Sequence, residues 1–443
     1  MLSKQNANGQ LWKMAISDSS HYMVSSLSLR LMTLLVIPVL TRSFGIEEFA
    51  LFDLFLSFYA FLFIILGLGL DSGAAILLTD SKNNENKQSL ILVISLISSL
   101  CMSILFLLTS TLFLSIKNPT LFTLEQWVIL GIYITFGLQS YLIINFCRFN
   151  GQVKAAAYTG LSSSFVGMSL GLMHVVYLNG TVTDYMRALL LGSGIGLLIS
   201  LFIVRRPLFC FRMAHYKLRE VRELFNLSLP FVPNYVGNSL IQLTDRFVLL
   251  ALLDLKALGI YALANRIAFI PSIAVSIVSQ GFLPVLLRNY ASETGKNFSR
   301  QVFHLYVLCI PIFMMMIYLV SEDLIDLFGG DKFVEASAIM PIMVCSVLIY
   351  SSTYMGGFGF IIKRKTRQIA NLTYFSLVIN LIASYFLGLY YGILGIVIGT
   401  LSASIVRAIL YMKYSEKLYQ FNYRLNYTAA IFFGSAFISI LLS

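Results

Sequence analysis

The sequence predicts an all-α polytopic membrane protein built as two pseudo-symmetric six-helix bundles, on three observations. Of the 443 residues 58% are apolar and 12% charged, and the mean hydropathy is +0.83, which the surface of a soluble domain this size does not tolerate. The apolar residues fall in stretches of about 20, the length at which a helix crosses a bilayer while satisfying its own backbone. The second half also repeats the first at an offset of 212 residues. Phe49-Ala50-Leu51 lies over Tyr261-Ala262-Leu263, the polar stretch Asp80–Gln88 over Ser292–Arg300, and the basic turn Gly151–Lys154 over Lys363–Thr366. Paired, weakly similar bundles are the signature of a transporter body.

Taken in order, the predicted spans are 18–40, 48–70, 89–115, 126–147, 155–178, 186–204, 228–253, 258–287, 301–320, 336–360, 369–389 and 391–411. A shorter apolar run at 427–442 leaves room for a thirteenth helix. They group into an N-terminal six-helix lobe (1–204), a basic cytoplasmic linker (205–223), a C-terminal six-helix lobe (224–415) and a tail (416–443). Met1–Lys13 is polar and the apolar stretch after it is long and carries Arg30, so the first helix is expected to be retained rather than cleaved.

Basic residues set the orientation, because Lys and Arg accumulate in cytoplasmic loops. The N-terminus and the loops at 79–88, 148–154, 205–223, 288–300, 361–368 and 412–425 hold 22 of the 31. The alternate loops hold Arg42, Lys117, Lys256 and Lys332, while 321–335 collects Glu322, Asp323, Asp326, Asp331 and Glu335. Both ends of the twelve-helix body are therefore expected in the cytoplasm. The net charge of +11 is mostly this asymmetry; phospholipid headgroups account for it, and nucleic-acid binding is not implied. Within the linker, Leu218, Val221, Leu224 and Phe225 are spaced for a helix lying on the membrane surface.

Enzyme chemistry has no visible home. There is no Walker phosphate loop, no Gly-rich dinucleotide loop and no HExxH pair, so no cofactor is expected beyond coupling to H+ or Na+. The five cysteines lack paired or metal-ligand spacing and read as small apolar residues.

Charge inside the spans carries the functional signal. Arg30, Arg246, Arg266 and Arg407 fall within predicted helices, and a mid-helix arginine costs about 2.5–3.5 kcal/mol to insert. That cost calls for a watered cavity, a buried partner or an anion. Around Arg246, the residues Asn234, Asn238, Gln242 and Asp245 recur at four, four and three and so share one helix face. Asp18, His21, Ser25 and Ser28 repeat the pattern more weakly near Arg30. Arginines and amides around a cavity would attract a phosphate or diphosphate and hydrogen-bond a sugar. Asp71 and Asp245 are the nearest candidate ion-pair or coupling partners. Whether they neutralise arginines or exchange a proton or cation stays open.

Three segments carry a family resemblance: Thr41–Ala50, Leu243-Thr244-Asp245-Arg246-Phe247 and Leu258–Ala264. In order and spacing the chain up to about residue 411 resembles the bacterial polysaccharide-unit (O-antigen and capsule repeat unit) flippases. These belong to the multidrug/oligosaccharidyl-lipid/polysaccharide exporter superfamily. The resemblance implies a MATE-like fold and movement of an undecaprenyl-diphosphate-linked oligosaccharide across the bacterial inner membrane for surface polysaccharide assembly. It also implies the polysaccharide polymerase machinery as a partner. Carried over, Arg30, Arg246 and Arg266 resemble the cationic cavity positions, and Asp245 the acidic residue before the arginine. The peptidoglycan-precursor flippases are usually longer, with extra helices, whereas at most one short helix is expected after the twelve here, and the sugar, whether O-antigen, capsule or exopolysaccharide, stays open. A cation-coupled multidrug or small-molecule exporter of the same fold is the main rival. A polymerase or ligase would need a large outer loop with catalytic residues, and the longest here is 321–335.

Overall fold

The computed structural model describes residues 32–80, 85–116, 121–150, 152–205 and 218–442. Every regular element among them is helical. In chain order they are α1 (Met32–Ser43), α2 (Ile46–Gly67), α3 (Leu70–Asp80), α4 (Glu85–Ile116), α5 (Leu124–Phe149), α6 (Val153–Leu178) and α7 (Val182–Ile203). Then come α8 (Leu218–Ser228), α9 (Val232–Leu252), α10 (Leu255–Ala268), α11 (Ile270–Asn289), α12 (Glu293–Leu319) and α13 (Ser321–Gly329). The last are α14 (Ala336–Gly356), α15 (Phe358–Ile362), α16 (Thr366–Leu418) and α17 (Leu425–Leu441).

Each predicted span falls largely on helical residues, the first of them over its described part. Among the described residues nine helical stretches are long and apolar enough to cross a membrane. One of these, Arg367–Leu418, counts twice. It is non-helical at Gly392 (φ 59°, ψ −134°), and residues either side pair in antiparallel register: Ser384 Oγ donates to the Ile396 carbonyl at 3.2 Å and Asn380 Nδ2 to Thr400 Oγ1 at 3.2 Å. A positive φ at the tip is the conformation only glycine adopts without strain. The predicted single span 258–287 is instead two helices, α10 and α11, meeting at Phe269. Pro271 supplies no N–H to continue the ladder and tolerates only the first turn of a new helix. The 427–442 run is the 17-residue helix α17.

The chain forms two compact units, each discontinuous in sequence. The first comprises the chain up to Phe44 and Phe58–Tyr235; the second comprises Gly45–Ser57 and Val236–Ser443. In the first unit the ends of α5 and α7 are fixed by capping boxes. Thr123 with Gln126 and Thr181 with Asp184 satisfy each other's free backbone N–H groups. Helices α6 and α7 meet on small residues: a Cβ on Gly192 would come within 2.3 Å of the Gly167 Cα, and one on Gly196 within 2.2 Å of the Ser163 Cβ. In lipid, where apolar burial does not drive helices together, such close backbone approach supplies the packing.

The second unit is organised around α14, whose membrane window is 83% buried, the highest share of the nine. The first part of α2 packs here, with Phe49 fully buried and edge-on to Phe333 at 5.7 Å. Helices α9, α10 and α16 bring their polar residues into this same unit.

Candidate functional site

Asp53 on α2 is buried, at 2% exposure, and each of its carboxylate oxygens takes a different arginine. Arg246 Nε on α9 donates to Oδ2 at 2.8 Å. Arg266 on α10 donates to Oδ1 from Nη2 at 2.9 Å and from Nε at 3.1 Å. Arg246 Nη1 also caps the Gln242 carbonyl at 2.6 Å, and the Arg266 guanidinium lies 5.7 and 5.6 Å from the ring centres of Phe49 and Phe52. One carboxylate against two guanidiniums leaves one positive charge in excess. Burial makes that excess felt, because little water screens it.

Beside this cluster the second unit holds a cavity of about 120 Å³, lined among others by Asn238, Gln242, Asp245, Arg246, Tyr261 and Tyr350. Asp245 does not pair with an arginine. It accepts from Tyr261 Oη at 2.6 Å and from Thr400 Oγ1 at 2.9 Å, and Asn380 Nδ2 donates on to Thr400 Oγ1. The Thr400 hydroxyl has one proton; its contact with the Ile396 carbonyl is the longer, at 3.1 Å, so the carboxylate is its better acceptor. Asp245 is thus a buried carboxylate held by hydroxyls, an arrangement that accommodates a proton or a small cation.

Of the residues singled out by sequence, Arg246, Asn238, Gln242 and Asp245 line this one cavity. Arg266 is linked to it through Asp53. Asn234 and Asp71 belong to the first unit, where Asp71 accepts from Tyr141 Oη at 3.2 Å. Arg30, Asp18, His21, Ser25 and Ser28 lie outside the described residues. The expectation that Asp71 and Asp245 are the arginines' nearest partners is corrected: among the described residues Arg246 and Arg266 form their ion pairs with Asp53. Asp53 was detectable in the sequence as an ionisable group within the apolar span 48–70.

Comparison with known proteins places this geometry. The family model described as "Polysaccharide biosynthesis protein" matches residues 16–290, more than half of the chain. The chain belongs to that family. An Lsg-locus protein of Haemophilus influenzae is 22% identical to this polysaccharide biosynthesis protein over 331 residues, covering 72% of this chain and 77% of its own. The probable low-salt glycan biosynthesis flippase Agl15 of Haloferax volcanii is 23% identical over 200 residues, 44% of this chain and 42% of its own. The fold is that of the MATE transporters. An inward-facing multidrug resistance MATE transporter of the MOP superfamily superposes with a TM-score of 0.66 at 16% identity, covering 89% of this chain and 98% of that one. A MOP-superfamily transporter from Pyrococcus furiosus, described as having a binding pocket of reverse polarity, superposes with a TM-score of 0.62 at 15% identity, covering 94% and 96%. The protein is therefore a multi-pass membrane member of the polysaccharide biosynthesis family with a transporter fold.

Proposed function

We propose that this protein translocates an undecaprenyl-diphosphate-linked oligosaccharide unit from the cytoplasmic to the outer leaflet of the bacterial inner membrane, its N-terminus on the cytoplasmic side. The observation that carries this reading is the unequal cluster of Arg246 and Arg266 on the single carboxylate of Asp53, beside a cavity lined by amides and hydroxyls. An excess guanidinium charge suits a diphosphate, and side-chain amides suit sugar hydroxyls. Membership of a polysaccharide biosynthesis family, and a relative named as a glycan biosynthesis flippase, support the same direction. Carrying the head group past hydrocarbon without counter-charge would be prohibitive; the protein lowers that cost, and no covalent step is needed. Asp245, free of arginine contact and held by Tyr261 and Thr400, is the group through which H+ or Na+ entry drives the cycle. The polymerase that consumes the unit is the natural partner on the outer face.

The rival, a cation-coupled exporter of small molecules, draws on the same Asp245 and on the fold shared with multidrug transporters. Translocation of a purified undecaprenyl-diphosphate oligosaccharide in proteoliposomes separates the two. Transport by the intact protein and its loss in Arg246→Ala, which leaves Asp53 neutralised one-to-one by Arg266, is the expected result. Failure of the intact protein to move the lipid under imposed proton and sodium gradients would hand the case to the exporter.

A further inference from the structure

The cavity of the second unit has a further cation at its edge. On the second helix of α16, Val397, Thr400 and Ser404 line the cavity, and Arg407 continues their three-four spacing on the same helix face. Arg407 is 5% exposed. Its Nη2 donates to Asn238 Oδ1 at 3.2 Å and its guanidinium lies 4.6 Å from the Tyr350 ring centre. Tyr350 Oη in turn reaches Asn238 Oδ1 at 3.4 Å. The remaining buried nitrogens, Nε and Nη1, have no hydrogen-bond partner among the described residues.

The contrast with the other buried arginines is chemical. Arg246 and Arg266 share a carboxylate; among the described residues no carboxylate forms an ion pair with Arg407. A guanidinium that is always charged, buried and half satisfied is a standing deficit of acceptor. The open Nε–H and Nη1–H leave on different edges of the guanidinium, so they are two separate donors, each suited to an anionic oxygen such as those of a phosphoryl group. Both side chains in contact with the guanidinium, Asn238 and Tyr350, themselves line the cavity, so a rotation of either exposes Arg407 to whatever occupies it. Asn238 and Asp245 are seven residues, or about 10 Å, apart on α9, so the Arg407 contact lies at a different level of the cavity from Asp245 and Arg246.

We propose that Arg407, with Asn238 and Tyr350, forms the phosphoryl-binding end of this cavity, separate from the Asp53 cluster. The proposal rests on the flippase reading above and assigns its head-group contact. In that orientation the Arg407 end is the cytoplasmic one, where a substrate loaded from the inner leaflet arrives.

The test measures binding to the full chain in phosphatidylcholine nanodiscs, using farnesyl diphosphate, inorganic pyrophosphate and farnesol as probes, with Arg407→Gln and Arg407→Lys as variants. Losing the charge-assisted contacts should weaken farnesyl diphosphate roughly tenfold to a hundredfold in Arg407→Gln. Arg407→Lys, which keeps the charge and loses the separate guanidinium donors, should fall between. Farnesol binding should not change, which a purely structural role would not achieve. An equal loss for pyrophosphate identifies the bare anion as sufficient, and a loss confined to farnesyl diphosphate identifies the prenyl-linked head. Competition by phosphatidylglycerol nanodiscs, lost in the variants, identifies bulk lipid phosphate; all three support phosphoryl recognition here. Should Arg407→Gln fail to fold, Arg407→Lys answers alone. Equal farnesyl diphosphate affinity in wild type and variants overturns the proposal and leaves the flippase reading standing. Absence of phosphoryl-ligand binding by the wild type overturns that reading and this proposal together.

Discussion

The two units bury polarity in opposite ways. In the first, a cavity of about 230 Å³ is lined by Tyr59, Tyr133, Tyr141, Ser140 and Ser163 among others, without a charged side chain. Tyr59 and Tyr133 lie against each other there at 4.5 Å between ring centres. In the second, the cavity carries Asp245 and Arg246, Asp53 and Arg407 are buried in the same unit, and Arg266 is partly buried beside Asp53. Among the described residues, the buried charged side chains lie in the second unit. The first is held by close helix packing, the second by ionic pairing whose balance is functional as well as structural.

The largest expected effect comes from removing the carboxylate on which that pairing depends. Asp53→Ala would leave the buried Arg246 and the partly buried Arg266 without their ion-pair partner, and breaking a buried pair costs about 3–5 kcal/mol. The matched change in the first unit, Asp71→Ala, removes a partly exposed group with one tyrosine contact and should cost about 0.5–1.5 kcal/mol. Thermal unfolding of both variants in one detergent gives the comparison. Equal losses would mean that Asp53 is no more embedded than Asp71, and the contrast between units would fail.

Packing should break the first unit where charge breaks the second. Gly192→Ala drives a Cβ to within 2.3 Å of the Gly167 Cα, against backbone rather than a flexible side chain, and overpacking of this kind costs about 1–3 kcal/mol. Gly434→Ala on α17 meets nothing within 4 Å and should be neutral or stabilising by up to about 1 kcal/mol. Unfolding midpoints in denaturant check both. A harmless Gly192→Ala would show that α6 and α7 are not pinned by their small residues.

These sites differ in how far the sequence announced them. The helices were legible because hydropathy and length are local properties, and Arg246, Asn238, Gln242 and Asp245 because a helix turns spacing into a shared face. Asp53 stands out in the sequence as a charge in a strongly apolar span, but its role does not, because its partners lie 193 and 213 residues away. The break at Phe269 was hidden for a different reason: proline at the start of a helix and proline inside one look alike until the preceding residue's conformation is known. The Tyr261 and Thr400 contacts to Asp245 depend on α10 and on the second arm of α16, and no local pattern encodes them.

A smaller effect on stability, with a larger one on function, is expected at Asp245. Asparagine is nearly isosteric and keeps one acceptor oxygen, for Tyr261, while the Thr400 hydroxyl can turn to the Ile396 carbonyl at 3.1 Å, so Asp245→Asn should cost less than about 1.5 kcal/mol in unfolding. It removes the one carboxylate of this cavity, however, so proteoliposome transport should lose its dependence on an imposed proton or sodium gradient. Transport in the variant that still follows the gradient would exclude Asp245 as the coupling group.

The smallest effect belongs to the ion pairs at helix ends, and it tests whether burial, rather than charge as such, separates the two regions. Lys256 and Glu335 in the second unit meet at 3.0 Å, with side chains 50% and 66% exposed. Both groups keep their hydration when parted, and holding two long side chains together costs entropy, so the pair contributes about 0–1 kcal/mol. Glu335→Gln should therefore shift the unfolding temperature little, and less still in high salt, which screens exposed charges while leaving the buried Asp53 cluster nearly untouched. A loss approaching that of Asp53→Ala would make charge pairing important throughout the second unit, and the distinction between its rim and its interior would dissolve.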